Sequence, residues 1–363
     1  MSEQQDWKLD LETYIRQGEP DQAEKSAAWQ TAIGLQDVDG LKTSEYLLET
    51  AKEHIEGNID MPSARKRIQS YYEERQDRQA IEDGTMEADL VSVRIAELLG
   101  EKTFQFSPAT YINIHKRLFS GVFPHAGQLR TYNITKKEWV LNGATVYYAS
   151  YDSIRETLDY DFEQERQFSY EGVSVPDAVK HIAAFTSGIW QIHPFCEGNT
   201  RSTAVFIIKY LKTFGFQISN EVFANNSWYF RNALVRANYN DLPNGIHATT
   251  EYLELFFENL LMGTKHELKN RYLHIDYEKT SSVQSANPDD SKCKNCTLNC
   301  TLEELAILQV LAENPRITQK ALAAVLGKSE RTIKNRTIEL QEKGYIRRIN
   351  GRRNGSWELL VEI

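Results

Sequence analysis

The chain is poor in cysteine: only 4 in 363 residues, and Cys293, Cys296 and Cys300 crowd into one segment while Cys196 stands alone. A disulfide framework spreads its cysteines over the chain, so this distribution points to reduced thiols or a metal. No stretch approaches the ~18 consecutive apolar residues of a membrane span. The first seventeen residues are polar and acidic, without the apolar core and small-residue cleavage site of a secretory signal. These absences make the cytoplasm the expected compartment and exclude a membrane partner. No internal repeat is visible, which excludes a solenoid.

Positive charge is also scarce. Lys plus Arg number 42 against 51 Asp plus Glu, a net of −9. The balance is uneven: residues 301–363 hold 11 Lys/Arg and 8 Asp/Glu, a net of +3, which leaves −12 for the rest. An acidic body with a basic tail assigns any nucleic-acid contact to the tail. Length, with 41% hydrophobic and 26% charged residues, fits a water-exposed globular chain of two or three domains.

The apolar pattern is mainly helical. The first twenty residues read as polar and loosely held. Thr43 or Ser44 can cap a helix carrying Tyr46, Leu47, Leu48, Ala51 and Ile55, with Gly57 placed to end it. A second runs over about 63–75. Residues 86–265 carry helical faces marked by Leu90, Val93, Ile95, Leu98 and Leu99; by Tyr111, Ile114, Leu118 and Phe119; by 178–191; by "NTRSTAVFIIKYL"; and by 252–261. Inside them, Lys136 to Ser150 has two β-rich runs around Asn142-Gly143, a hairpin signal. The polar stretch 279–300 reads as a linker. After it come three helical patterns and two short β-type runs around a Gly- and Arg-rich tip, the layout of a winged helix-turn-helix. The predicted divisions are 1–80, 81–278, the linker 279–300, and 301–363.

The chemistry concentrates in His193-Pro194-Phe195-Cys196-Glu197-Gly198-Asn199-Thr200-Arg201, a loop between two apolar helices. Gly198 permits a backbone conformation that turns successive N–H groups onto an anion, and the helix opening near Asn199 adds its positive end. Arg201 can fork onto phosphate oxygens. Glu197 can hold Mg²⁺, which keeps several waters and binds phosphate. His193 can take a proton from an attacking hydroxyl near neutral pH. That is an inventory for in-line displacement at phosphorus. His181, twelve residues earlier on an apolar helix, reads as structural.

The nonapeptide resembles the signature of the Fic-domain family, His-Pro-Phe-x-(Asp/Glu)-Gly-Asn-Gly-Arg-x-x-Arg, and the resemblance extends over roughly residues 86–265. It implies a mainly α fold: a Fic-type helical domain with a β-hairpin flap, followed here by the winged helix domain. It implies a protein adenylyltransferase that moves AMP from ATP, with Mg²⁺, onto a Ser, Thr or Tyr hydroxyl of a protein, this chain among the candidate targets. By position, His193 is the implied general base and Glu197 the Mg²⁺ ligand. Gly198, Asn199, Thr200 and Arg201 hold phosphates, and Asn238 stands where the family often contacts adenine. The hairpin is the flap that docks target backbone. Two positions depart from the pattern: Thr200 replaces the third glycine and Ala204 the second arginine.

Residues 35–75 resemble the small antitoxins paired with Fic toxins, fused in cis. Glu56-Gly57 matches the inhibitory (Ser/Thr)-x-x-x-Glu-(Gly/Asn), with Lys52 where Ser or Thr is usual. Since Ala204 removes that glutamate's usual partner, the expected contact of Glu56 is Arg201 or the phosphate nest. In the tail, Arg331, Lys334 and Arg336 lie on the third helix, where Thr332 and Asn335 can reach base edges; Arg347, Arg348, Arg352 and Arg353 lie on the wing. Cys293, Cys296 and Cys300 have zinc-like spacing but need a fourth ligand, from His274 or a second chain; a second copy of the chain is also a candidate partner. Two other readings stay open. One is a DNA-binding regulator whose Fic domain binds nucleotide without turnover. The other is a Fic enzyme transferring UMP or a phosphoryl group.

Overall fold

The computed structural model describes residues 6–75, 84–216, 221–277, 300–349 and 355–361. Among the described residues fourteen helices and one hairpin make up the regular structure, apart from short 3-10 turns, and no described helix is long and apolar enough to cross a membrane.

The amino-terminal part is more ordered than its polarity suggests. Helix α1 (Asp6–Gln17) leads into α2 (Pro20–Gly34), which opens with Pro20 in its first turn and a reciprocal capping box between Glu19 and Gln22. From Ala28 to Gly34 every residue of α2 is buried. A helix covered on all sides shows no amphipathic period, and this hides it from pattern reading. Gly34 is where α2 meets a later helix: a Cβ there would lie 2.4 Å from the Ala224 carbonyl oxygen. A 3-10 turn, Leu35–Asp39, follows.

Helix α3 (Glu45–Ile55) starts at Ser44, whose hydroxyl accepts from Leu47 N, and stops at Glu56 before Gly57 in the left-handed region. Buried Trp29 of α2 donates its indole N–H to His54 Nδ1 at 3.0 Å, tying α2 to α3. Helix α4 (Met61–Arg75) and helix α5 (Thr85–Gly100) complete this layer. Asp89 of α5 accepts from Ser44 N and from Tyr72 O–H, so one buried carboxylate joins three helices.

Next come α6 (Pro108–Phe119), α7 (Ile154–Gln167), α8 (Val175–Ile192), α9 (Asn199–Lys212), α10 (Glu221–Ala237) and α11 (Glu251–Met262). Buried α9 is the centre of the layer, with Val205 to Ile208 fully enclosed. His181 is structural as expected: its Nε2 lies 2.7 Å from buried Glu165, and Phe168 stacks on its ring.

The expected flap strands do not form. Residues 136–150 do reverse at Asn142-Gly143, but the ends are joined by single bonds such as Glu138 N to Ala144 O, and Trp139–Leu141 is a 3-10 turn. Val140 and Leu141 are buried in the helical body, and Ile275 N donates to Val140 O. These turn bonds and buried side chains take the place of a strand ladder.

The tail folds as read from the pattern. Helices α12 (Leu302–Glu313), α13 (Gln319–Leu326) and α14 (Glu330–Glu342) are capped by Thr301, Thr318 and Ser329. Strands β1 (Ile346–Ile349) and β2 (Ser356–Leu359) pair antiparallel, Ile346 opposite Leu359. The tail packs on the helical body: Val175 N donates to Cys300 O, Gln309 Nε2 donates to Leu261 O, and Gly215 lies against Leu326 and Ala306. Cys293 and Cys296 lie outside the described residues. Cys300 is buried and its thiol is pushed up to about 11 by desolvation, and the described residues hold no group of three or more His, Cys, Asp or Glu placed to bind a metal.

Candidate active site

Helix α8 ends at His193, whose φ of 48° turns the chain out of the helix. The loop returns through Gly198, at φ 73°, into α9. Gly198 is required twice over. Its conformation is left-handed, and a Cβ would lie 2.4 Å from the Phe119 ring. Asn199 locks the loop from inside: its Oδ1 accepts from Phe195 N at 3.0 Å and its Nδ2 donates to Phe195 O at 2.8 Å. No side chain caps α9, so its first-turn N–H groups keep their capacity for an anion.

Thr200 costs the loop nothing. It lies in the first turn of α9, with none of the positive φ that would call for glycine, and its Oγ1 accepts the Trp190 indole N–H at 3.0 Å. Ala204 is fully buried in the core.

His193 is enclosed. Its Nδ1 lies 3.3 Å from Trp190 O, which assigns the proton to Nδ1 and a lone pair to Nε2. Nε2 is buried and has no hydrogen-bond partner among the described residues. Burial, then the nearby Lys136, hold the imidazole well below its ordinary pKa, so the ring is neutral at pH 7. Tyr148 stacks over it with ring centres 4.1 Å apart, and Trp190 meets it edge-on. Arg130 donates through Nε to His193 O at 2.8 Å and through Nη2 to Ile192 O at 3.3 Å, fixing the turn that carries the ring.

His115, on α6, supports the loop from the other side. Gly127 N donates to its Nδ1 at 2.9 Å, so Nε2 carries the proton and donates to Glu197 O at 3.0 Å. Its ring stacks on Phe195 at 3.7 Å. Desolvation lowers its pKa to about 4.

The Glu197 carboxylate points outward, 56% exposed, with Lys136 Nζ 3.1 Å away. Arg201 is buried, its guanidinium 4.8 Å above the Phe119 ring. Nη1 donates to Gln36 Oε1 at 3.0 Å and Nη2 to Glu87 Oε1 at 2.6 Å, while Asp39 Oδ2 lies 2.9 Å from Nε. The expected contact of Glu56 is therefore absent. Glu56 is exposed at the end of α3, and its carboxylate accepts from Tyr14 O–H and Asn58 Nδ2. The arginine's acidic neighbours come instead from the Leu35–Asp39 turn and from α5. Asn238 is spent elsewhere: its Nδ2 donates to Ser187 Oγ and Leu234 O, both at 2.9 Å.

Pattern reading brought His193, Glu197, Gly198, Asn199, Thr200 and Arg201 together, since they are neighbours in sequence. It missed His115, Arg130 and Tyr148, and Gln36, Asp39 and Glu87. His115 sits on the apolar face of α6 and carried no motif. The other five show nothing in sequence that distinguishes them from surface residues.

On the tail, Arg331, Lys334 and Asn335 are exposed along one side of α14, and the Thr332 hydroxyl pairs with the Ser329 cap. Arg336 is instead held by Glu303 and Glu339, at 2.9 and 2.7 Å. Arg347 pairs with Glu358, and Arg348 lies over the Trp357 ring. Arg352 and Arg353 lie outside the described residues.

Residues 105–211 match the Fic/DOC family and residues 304–347 match the winged helix-turn-helix DNA-binding family. No curated protein matches the chain. Among solved structures, a Fic family protein from Desulfovibrio desulfuricans G20 aligns over 91% of this chain and 96% of its own, at 13% identity and a TM-score of 0.36.

Proposed function

We propose that the Fic/DOC domain carried at residues 105–211 transfers AMP from ATP to a Ser, Thr or Tyr hydroxyl of a protein, this chain included among its targets. The observation that supports this most is the state of His193: a neutral imidazole with an unpaired, buried Nε2 beside a loop built for an anion. In the proposed reaction the target oxygen attacks the α-phosphorus of ATP, and its proton passes to His193 Nε2. The bond from the α-phosphorus to the bridging oxygen breaks, and pyrophosphate leaves with that electron pair. The first-turn N–H groups of α9 and Arg201 face the phosphate charge.

Mg²⁺ suits the donor set. This ion takes one or two carboxylates and completes its shell with water and substrate phosphate. Glu197 offers one outward carboxylate, and Lys136 would give way to the ion. Bound there, Mg²⁺ would neutralise phosphate charge.

The chain is proposed to be self-restrained, but through Gln36 and Asp39 rather than Glu56. Together with Glu87 they occupy the guanidinium that phosphate needs, and Tyr148 covers the base. These same contacts favour the second reading, a DNA-binding regulator whose nucleotide site does not turn over. DNA contact is assigned to α14 through Arg331, Thr332, Lys334 and Asn335.

The test is intact-mass analysis of purified protein incubated with ATP and Mg²⁺, alone and with candidate protein targets. A gain of one AMP that disappears in His193→Ala is expected. Nucleotide binding without any covalent gain, across all four nucleoside triphosphates, would move the assignment to the regulator.

A further inference from the structure

A cavity of about 260 Å³ lies between α4, α5 and α6, and its lining is Arg65, Gln69, Arg94, Glu97, Arg117 and Ser120. Three guanidinium groups thus meet around a single lining carboxylate. Glu97 lies 3.4 Å from Arg65 and 3.9 Å from Arg117. Arg117 is further held by Glu101. Arg94 gives Nη1 to Leu118 O at 2.8 Å, and no carboxylate among the described residues lies within ion-pair distance of it. A half-buried cation with no carboxylate in direct contact is costly, and Glu97, the one carboxylate in the lining, is shared among three guanidinium groups, so an anion in the cavity would supply further charge. Burial and then the neighbouring Arg65 push the Arg94 pKa down, and Glu97 offsets this only in part.

We infer that this cavity is an anion site for a phosphate oxyanion of two or more charges, inorganic phosphate or pyrophosphate. The lining decides the class. It offers forked N–H donors, an amide and a hydroxyl, the groups that hold phosphate oxygens, and it has no aromatic or aliphatic wall for a base or an acyl chain. The volume, roughly nine waters at ~30 Å³ each, has room for a phosphate or diphosphate group. The site is separate from the loop at 193–201, and none of its residues belongs to that loop. It joins α4 of the amino-terminal part to α5 and α6. Ser120 follows Phe119, the ring that packs on Gly198 and under Arg201. An anion bound here would therefore clasp the amino-terminal helices to the support of the phosphate loop.

The experiment is calorimetric titration of the full chain with sodium phosphate and with sodium pyrophosphate in metal-free buffer. Sodium chloride at matched ionic strength is the control. The parent, Arg65→Gln, Arg94→Gln and Asn199→Ala are compared. Saturable binding is expected in the parent and in Asn199→Ala, weakened about tenfold or more in Arg65→Gln, the loss of one charge-assisted contact. Arg94→Gln is expected to weaken it further. Arg65 is exposed enough that its variant tests the site even where Arg94→Gln does not fold. Tighter pyrophosphate than phosphate would identify a diphosphate ligand, and equal affinity a monophosphate. Heat reproduced by chloride, no binding at millimolar anion, or binding lost in Asn199→Ala but kept in Arg65→Gln would each overturn the assignment.

Discussion

Acidification should weaken this protein through His115, and the size of the effect follows from its surroundings. In the fold the ring accepts from Gly127 N and donates to Glu197 O, so it has no place for a second proton without losing the first bond. Its pKa is about 4 when folded, against 6.5 in an unfolded chain. The unfolded state therefore binds more protons between those values. Stability contributed by the neutral ring is present above pH 6.5 and is lost as pH falls from 6.5 toward 4. Between pH 7 and pH 5 the loss from this one group amounts to about 2 kcal/mol. Urea unfolding at pH 7, 6 and 5 would measure it, in the parent and in His115→Gln, which keeps an acceptor and a donor but does not titrate in this range. The parent should lose about 2 kcal/mol more than the variant across that interval. Equal losses would refute the assignment of His115 as a neutral brace of the loop at 193–201 and shift the acid sensitivity to other groups, such as His193 and His54, whose pKa values are also lowered by burial.

Three further outcomes follow from the geometry. Asp39→Asn should raise AMP transfer about threefold to tenfold, since a partly exposed ion pair is worth about 1 kcal/mol, while Glu56→Gly should change it little; the reverse order in an intact-mass time course would return the restraint to Glu56. Gly198→Ala should destabilise the fold by about 2–4 kcal/mol, from a left-handed conformation and the clash with Phe119, and a denaturant midpoint near the parent's would mean that the loop relaxes freely. Arg331→Ala and Lys334→Ala should each lower the slope of log affinity against log salt by about 1 in DNA titrations; an unchanged slope would remove α14 from the phosphate contacts.

Local chemistry was open to reading from the chain because it depends on neighbours in sequence. Ser44 caps the helix that follows it, Gly57 ends α3, and the nonapeptide from His193 to Arg201 needs only a turn between two helices to gather its groups. The tail's three helices and hairpin were legible for the same reason: each period is short and bounded by its own caps. Tertiary packing decided what lies far apart in the chain. From Ala28 to Gly34 helix α2 is covered on every side, and a stretch buried all round leaves no polar face to give it a period. The flap stayed without strands because Val140 and Leu141 sank into the helical body instead of facing a partner strand. Thr200 fits the first turn of α9 because Trp190 is there to donate to it. The partners of Arg201 could not be read at all, since a charged residue shows its sign in sequence but not its neighbour: α2's continuation and α5, more than a hundred residues upstream, bring Gln36, Asp39 and Glu87 to it, and leave Glu56 at the surface.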